Sequence, residues 1–320
     1  MSAIDRPMIE LPSNILFGTS SWTYLGWQGI VYHNDYKDAK DFNLHCLSEY
    51  CRFPLFRTVG IDSSFYAPPT REQLLSYAQQ VPAEFQWVSK VWEEITIPVY
   101  PKHKRFGSRA GQININFLNP DIFCDKILSV YELAQVQPHL GAFIFEFQMM
   151  PLKTNSQIAK FIETLDLFFS RLPQTYNYSV EIRTPCLLAK PYFECLNRHH
   201  VAHCFNHWTY MPSLKEQMIA AANAGGLIAD FQIARILTPL GKSYAQAVND
   251  YQPYKSIKKE LPQMREDVKT FAKRALKRNV KAFILVNNRS EGHAPGTIKA
   301  LREMIIKESE NNDQGEINDQ

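Results

Sequence analysis

The sequence has no apolar run long enough to span a membrane, and its first residues, MSAIDRPMIELPSN, lack the basic and apolar segments of a secretion signal. Its six cysteines are scattered without any C-x-x-C pair, as in proteins with reduced, mostly buried thiols. Basic side chains exceed acidic ones by only 35 to 32, which is too little to indicate nucleic-acid binding. We therefore expect a cytoplasmic protein that has no membrane segment.

Several motifs of known chemistry are also missing. The sequence contains no G-x-S-x-G, no G-x-x-x-x-G-K-[ST] and no G-x-G-x-x-G, so it gives no support for a serine hydrolase, a P-loop protein or a dinucleotide-binding protein. There is no H-E-x-x-H either, and His199, His200, His203 and His207 fall on different sides and ends of a predicted strand. The sequence predicts neither a cofactor nor a protein-bound metal.

Short runs rich in β-branched and aromatic residues alternate with longer segments of helical period, which is typical of repeated βα units. We predict eight strands, at Ile15–Ser20, Arg57–Ser63, Phe85–Lys90, Gly141–Phe147, Tyr178–Arg183, Val201–Asn206, Gly226–Phe231 and Lys281–Asn287. A helix follows each of them. This count predicts an α/β fold of the TIM (β/α)8 barrel class. The alternative, an open doubly wound sheet, usually has fewer strands and a glycine-rich first turn that is absent here.

No domain boundary is visible, and residues 1–307 are predicted to form a single domain. Two long connections, 91–119 after the third strand and 233–255 after the seventh, predict inserts that could serve as lids. The segment 308–320 is polar and acidic, without Lys or Arg, and is predicted to be disordered.

Polar side chains accumulate at the predicted carboxyl ends of the strands, where the chemistry of a TIM barrel takes place. Glu181 and Arg183 lie on the same side of the fifth strand, and buried charges are costly unless they are paired. They indicate either an ion-pair network that closes the barrel or a carboxylate and a guanidinium that face a ligand. We assign Glu181 as a candidate acid/base group, with Asp62 or Glu146 as a second carboxylate.

Other side chains near the strand ends are candidates for binding an anion. The segment 287–296 combines amides, a basic side chain and glycines directly before a helix, and helix N-termini bind phosphate or carboxylate. The alternative is an ordinary turn with Pro295 at the helix start. The candidate ligand-binding residues are Arg183, Arg235, Asn287, Asn288, Gly292, His293, Trp22, Tyr66, Lys90 and His207. The aromatic residues of the first two loops fit either stacking on a sugar or base, or a packed loop cap.

Six segments resemble, in order, the signatures of the YecE-like family, known as domain of unknown function 72. They are FGTSSWTYLGWQGIVY, FRTVGIDSSFYAPPT, FQWVSK, LGAFIFEFQ, YSVEIRTP and ILVNNRSEGHAP, and the resemblance runs from about Phe17 to Leu301. It implies a TIM barrel and supplies no reaction. The positions that match the family pattern are Glu181, Arg183, Asn287, Asn288, Gly292, Ala294 and Pro295, together with Arg235. Departures are Gly60 and Asp62, where members commonly carry Glu and Asn, and Glu146 and Gln148, where they carry Gln and Pro.

We expect an enzyme of unassigned reaction that acts on a small anionic or phosphorylated, carbohydrate-like ligand at the barrel mouth. The alternative is a nucleic-acid-binding or processing barrel, because the family resembles endonuclease IV in fold and the segments Lys102–Arg105 and Lys255–Lys281 are basic. A third possibility is a binding protein without catalytic activity.

Overall fold

Eight parallel strands close into a barrel in the computed structural model, which describes residues 11–317, with side chains described up to Lys307. The strands β1–β8 are Ile15–Thr19, Thr58–Ile61, Gln86–Lys90, Leu140–Phe147, Tyr178–Ile182, Ala202–His207, Phe231–Ile236 and Lys281–Val286. Each strand pairs with the next one in sequence, and β8 pairs with β1. The TIM (β/α)8 barrel predicted from the sequence is confirmed.

Helices lie between the strands and pack on the outside of the barrel. The α-helices α1–α12 are Ala39–His45, Leu47–Tyr50, Arg71–Ala78, Glu93–Thr96, Pro120–Phe123, Ser129–Tyr131, Asn155–Ser170, Lys190–Arg198, Leu214–Asn223, Tyr244–Tyr251, Pro262–Arg278 and Ala294–Ile317. Four of them begin at a capping box, in which a Ser or Thr hydroxyl and a Gln or Glu three residues later bond to each other's backbone. Within the described residues, no helix is long and apolar enough to cross a membrane.

The last helix, α12, reaches into the segment 308–320, for which the sequence predicts disorder. The side chains from residue 308 onward, and all of residues 318–320, lie outside the described residues. The disorder of this segment stays a prediction.

Side chains alternate along each strand between the barrel interior and the surrounding helices. The interior contains an apolar layer formed by Leu16, Val88, Ala142, Ile144, Ala202, Cys204, Ile233, Phe283 and Leu285. Two residues further along three of the strands, the inward positions are charged: Lys90 follows Val88, Glu146 follows Ile144, and Arg235 follows Ile233. The carboxyl end of the barrel is therefore a polar layer above an apolar one.

The prediction for the seventh strand was wrong in position. The strand begins at Phe231, whereas the sequence pattern places it over Gly226–Phe231. Gly226 has a φ of 86° and belongs to the turn after α9, so it cannot begin an extended strand. The true strand contains the polar residues Gln232 and Arg235, so it lacks the apolar pattern of a buried strand, although both residues are buried. Arg235 thus lies inside the barrel wall rather than in a loop after it.

The two long connections, after β3 and after β7, differ in secondary structure. The one after β3 contains α4 and a small separate apolar cluster of Ile97, Tyr100 and Phe106. The one after β7 contains α10 and begins later than predicted, because residues 233–236 belong to the strand. A lid function for either connection stays a prediction.

Candidate functional site

A cavity of about 380 Å³ opens at the carboxyl ends of the strands, and every strand or the connection after it contributes to its lining. Of the residues predicted from the sequence, Asp62, Tyr66, Lys90, Glu146, Arg183, Arg235 and Asn287 line it. Residues outside the predicted set also line it, namely Ser20, Ser21, Tyr24, Gln148, Trp208, Leu237, Thr238, Tyr244 and Arg289.

Arg235 joins carboxylates from three strands beneath this cavity. Its Nη1 lies 3.0 Å from Glu146 Oε2 and 2.7 Å from Glu181 Oε2, and its Nη2 lies 2.5 Å from Asp62 Oδ2. Burial opposes the charge of the guanidinium, but the carboxylates of Asp62, Glu181 and Glu146 outweigh it and raise the pKa of Arg235 well above its usual range. Arg235 is therefore a permanent cation at the centre of the network.

Glu146 is surrounded by cations. Its Oε2 lies 2.6 Å from Lys90 Nζ, 3.1 Å from Arg183 Nη2 and 3.0 Å from Arg235 Nη1, while its Oε1 accepts a hydrogen bond of 2.7 Å from Gln148 Nε2. Burial by itself would raise the pKa of this carboxyl, but Arg183, Lys90 and Arg235 together hold it well below its usual range. A carboxylate so strongly stabilised as the anion is a poor proton donor and a poor base.

Glu181, the first candidate for the acid/base role, is fully buried and does not line the cavity. Its Oε1 lies 2.5 Å from Arg183 Nη2 and its Oε2 lies 2.7 Å from Arg235 Nη1. Of the two sequence interpretations, the geometry of Glu181 matches the ion-pair network. Arg183 fits both interpretations. It pairs with Glu181, and it also lines the cavity, where its guanidinium lies 4.5 Å from the centre of the Trp208 ring.

Asp62 is the most exposed carboxylate of the network. Its side chain is 26% exposed, against 4% for Glu146 and 0% for Glu181. Lys90 Nζ lies 3.8 Å from Asp62 Oδ2 and 4.7 Å from the centre of the Phe65 ring, so a second cation borders the same carboxylate. Asp62 and Glu146, two of the positions that depart from the family pattern, thus share Lys90 and Arg235 as partners.

Within the network, the number of carboxylates equals the number of cations, and the cavity lining contains one cation more. Three carboxylates face Lys90, Arg183 and Arg235, and Arg289 is added to these in the cavity lining. The Arg289 guanidinium lies 4.5 Å from the centre of the Tyr244 ring, and no described carboxylate lies within ion-pair distance of it. The cavity therefore carries a surplus of positive charge.

Five predicted ligand-binding residues lie away from the cavity lining, namely Trp22, His207, Asn288, Gly292 and His293. Trp22 is buried and packs edge-on against the Tyr77 ring, with the ring centres 5.0 Å apart. His207 is buried, and its Nδ1 is 3.0 Å from the Thr238 carbonyl oxygen. Burial lowers the pKa of His207 to about 4, so the ring is neutral near pH 7. For Trp22 and His207, the structure points to a packing role.

The predicted anion site in the segment 287–296 is largely occupied by the chain itself. Asn288 Oδ1 accepts hydrogen bonds from Trp27 Nε1 and from the Ala294 N–H, and His293 Nδ1 accepts one from the Gly296 N–H. These side chains cap the start of α12 and satisfy the N–H groups that an anion would otherwise use. Within this segment, Asn287 and Arg289 are the residues that line the cavity.

Gly292 lets the connection after β7 pack against the loop after β8. Its φ is 106°, and an added Cβ would lie 2.9 Å from the Ser256 carbonyl oxygen and 3.0 Å from the Lys258 nitrogen. We expect Gly292→Ala to lower the free energy of unfolding by about 2–4 kcal/mol, because it adds a steric clash to backbone strain. Thermal unfolding followed by circular dichroism measures this loss.

Gly225→Ala is the matched control, because Gly225 has a φ of 101° and no heavy atom within 4 Å of an added Cβ. Its free energy of unfolding should fall by about 1 kcal/mol from backbone strain alone. Equal losses in the two variants would contradict the packing role of Gly292.

Among the described residues, no group of three or more His, Cys, Asp or Glu side chains is arranged to hold a metal ion.

Several of the basic residues that suggested nucleic-acid binding have partners within the protein. Arg105 pairs with Glu93 at 2.6 Å, and Arg265 pairs with the buried Glu291 at 2.9 Å.

Comparison with known proteins agrees with the fold. The model of the family described as "Protein of unknown function DUF72" matches residues 16–318. No protein of the curated collection matches the sequence. The structure is similar to that of a DUF72 family protein from Enterococcus faecalis V583, with a TM-score of 0.56 and 14% identity, over 91% of this chain and 95% of that one. It is also similar to a DUF72 family protein from Thermotoga maritima MSB8, with a TM-score of 0.54 and 16% identity, over 91% and 98% of the two chains. At these identities the likeness concerns the fold alone.

Proposed function

The chain belongs to the DUF72 family, and we propose that it is an enzyme that binds a small anionic ligand in the cavity at the mouth of its TIM barrel. In this proposal, Asp62 transfers a proton to or from the bound ligand. The observation that carries the proposal is the surplus of positive charge in the cavity lining, since clefts lined by one sign of charge attract ions of the other sign.

The size and lining of the cavity support a small ligand. A volume of about 380 Å³ falls within the range of about 300–1,000 Å³ that is usual for small-molecule sites. Tyr66, Trp208 and Tyr244 contribute aromatic rings to the lining, and such rings can stack on the apolar face of a sugar. These features favour the anionic or phosphorylated, carbohydrate-like ligand expected from the sequence.

The contrast among the three carboxylates supports Asp62 as the proton-transfer group. Asp62 and Glu146 both line the cavity, but Glu146 and Glu181 are buried among cations, whereas the Asp62 side chain is 26% exposed. Its flanking cations, Lys90 and Arg235, would also stabilise negative charge that develops on the ligand next to it.

We predict that anionic compounds protect the protein against thermal unfolding and that neutral ones of the same shape do not. The panel pairs glucose 6-phosphate and glucuronate with glucose, and includes inorganic phosphate, all at one ionic strength. A ligand at about 100 times its dissociation constant adds about 2.7 kcal/mol, which raises the melting temperature by several degrees. Arg289→Met should lose at least about tenfold in affinity for the anions while its melting temperature without ligand stays near that of the wild type.

Protection by glucose equal to that by glucose 6-phosphate, or no protection by any anion, would contradict the proposal. An oligonucleotide in the same panel tests the alternative, because its binding would weaken steeply as salt is added. For any compound that protects, nuclear magnetic resonance can follow its conversion over time. Asp62→Asn should abolish conversion and leave the dissociation constant within a fewfold of the wild type, and retained conversion would remove Asp62 from the proton-transfer role.

A further inference from the structure

We infer that the anionic group of the ligand occupies a subsite between β1 and β8, formed by the Ser20 hydroxyl, the Asn287 amide and the Arg289 guanidinium. This subsite takes a terminal oxyanion, either a phosphate or a carboxylate. The inference rests on the proposed function and deepens it, because it assigns the β8–β1 side of the cavity to the anion and places the anion next to Asp62, which directly follows the neighbouring strand β2.

Strand pairing places Ser20 and Asn287 side by side. β1 and β8 run parallel, with Thr19 opposite Val286, so Ser20 and Asn287 are the next residues of two neighbouring strands. Both line the cavity, and so does Arg289, two residues further along the loop after β8. Three side chains with hydrogen-bond donors therefore lie along one wall.

The Ser20 hydroxyl lacks a partner that buried hydroxyls normally have. Ser20 is 2% exposed, and its Oγ forms no hydrogen bond with any described residue. Two other buried serines of the barrel are satisfied, since Ser64 Oγ donates to the Lys90 carbonyl at 2.6 Å and Ser179 Oγ donates to the Phe143 carbonyl at 2.9 Å. A buried hydroxyl without a partner is unfavourable, and an oxygen atom of a ligand in the cavity would satisfy it.

The amide of Asn287 is oriented by its own loop. Its Oδ1 accepts a hydrogen bond of 3.0 Å from the Arg289 N–H, and Asn287 itself is 3% exposed. With the oxygen engaged, Nδ2 is the polar atom of this side chain that has no hydrogen-bond partner in the described part of the chain. It therefore offers a donor to a ligand rather than an acceptor.

Three donors lie on this side of the cavity, and the carboxylates nearby already have cationic partners. Glu291 follows Arg289 closely in sequence, but it is fully buried and bound to Arg265, with Arg265 Nη2 at 2.9 Å from Glu291 Oε2. Two carboxylates line the cavity, Asp62 directly after the adjacent strand β2 and Glu146 on β4, and both are paired with cations. A hydroxyl, an amide and a guanidinium together match the several acceptor oxygens of a phosphate or a carboxylate.

Two substitutions and one matched control test the subsite, with glucose 6-phosphate and glucuronate as probes in isothermal titration calorimetry. Ser20→Ala should weaken binding about tenfold, since it removes one hydrogen bond to a charged group. Asn287→Asp should weaken it at least about a hundredfold, because a carboxylate replaces the donor and repels the ligand. Ser63→Ala makes the same change at an exposed serine that does not line the cavity and should bind within about twofold of the wild type.

The melting temperature of each variant without ligand shows whether it folds. If Asn287→Asp does not fold, Ser20→Ala alone is a sufficient test of the subsite. If Ser20→Ala and Asn287→Asp bind like the wild type while Arg289→Met loses binding, the subsite is overturned and the proposed function stands. If the wild type binds neither probe, the proposed function itself fails. Equal losses for both probes support a site for the shared oxyanion, and a loss for one probe alone supports a site for that anion.

Discussion

Replacing Arg235 with methionine is expected to lower the free energy of unfolding by about 3–5 kcal/mol, because it removes the shared partner of three carboxylates. Methionine keeps a long, flexible side chain, so the loss comes from uncompensated charge rather than from an empty cavity. The charge of Glu181 would be affected most, since this side chain is fully buried and cannot be solvated by water. At about 2–4 °C per kcal/mol, the melting temperature should fall by about 10 °C.

Arg289→Met is the matched control for this prediction. It makes the same chemical change in the same cavity, at an arginine that no described carboxylate faces. We expect its stability to change by less than about 1 kcal/mol, and its loss to be in anion affinity instead. Similar melting temperatures for the two variants would show that the carboxylates do not depend on Arg235.

The barrel could be predicted from the sequence because its strands are short, apolar and β-branched, with helical segments between them. The seventh strand was misplaced for a physical reason. The stretch Leu227–Ala229 looks like a strand but follows two glycines with positive φ, whereas the real strand contains Gln232 and Arg235. Burial of Arg235 is possible only because other strands supply carboxylates, and strand-to-strand contacts of this kind are not visible in one segment.

The site was predicted in part. Paired charges in an apolar strand identified Glu181 and Arg183, but the sequence could not show which carboxylate would be open to solvent. Asn288 and His293 lie outside the cavity lining and cap α12, which the sequence could not show because the same groups that bind anions also cap helices. Arg289 had a usable signal, since it is a basic residue in the loop directly after a barrel strand, where TIM-barrel sites lie. Tyr244 had none, because it comes from the connection after β7.

The stability of the protein should also fall as the pH decreases from 7 to 5, because of two histidines on β6. His203 is buried, with its Nδ1 2.9 Å from the Tyr192 hydroxyl, and its Nε2 is 3.3 Å from Gln217 Oε1. Burial lowers the pKa of His203 to about 4, although the Gln217 hydrogen bond opposes the shift, and burial likewise lowers the pKa of His207 to about 4. The unperturbed value of both is 6.5.

The direction of the effect follows from proton binding. Above pH 6.5 both histidines are neutral in the folded and unfolded states, and stability is at its full value. Between pH 6.5 and 4 the unfolded chain binds protons that the folded protein excludes, so stability is lost progressively as the pH falls. At pH 5 the loss is about 2 kcal/mol for each histidine, or about 4 kcal/mol together, which corresponds to a melting temperature lower by about 10 °C.

Melting temperatures of the wild type and of His203→Gln between pH 7 and pH 5 test this prediction. Glu146 contributes little in this window, because its pKa is held low and its stabilising charge is lost only as the pH falls below the ordinary value of 4.5. His203→Gln should remove a substantial part of the pH dependence, whatever its stability at pH 7, since glutamine cannot take up the proton. His33→Gln, at an exposed position, should leave the slope unchanged. A wild-type melting temperature that does not change between pH 7 and 5 would show that neither buried ring resists protonation.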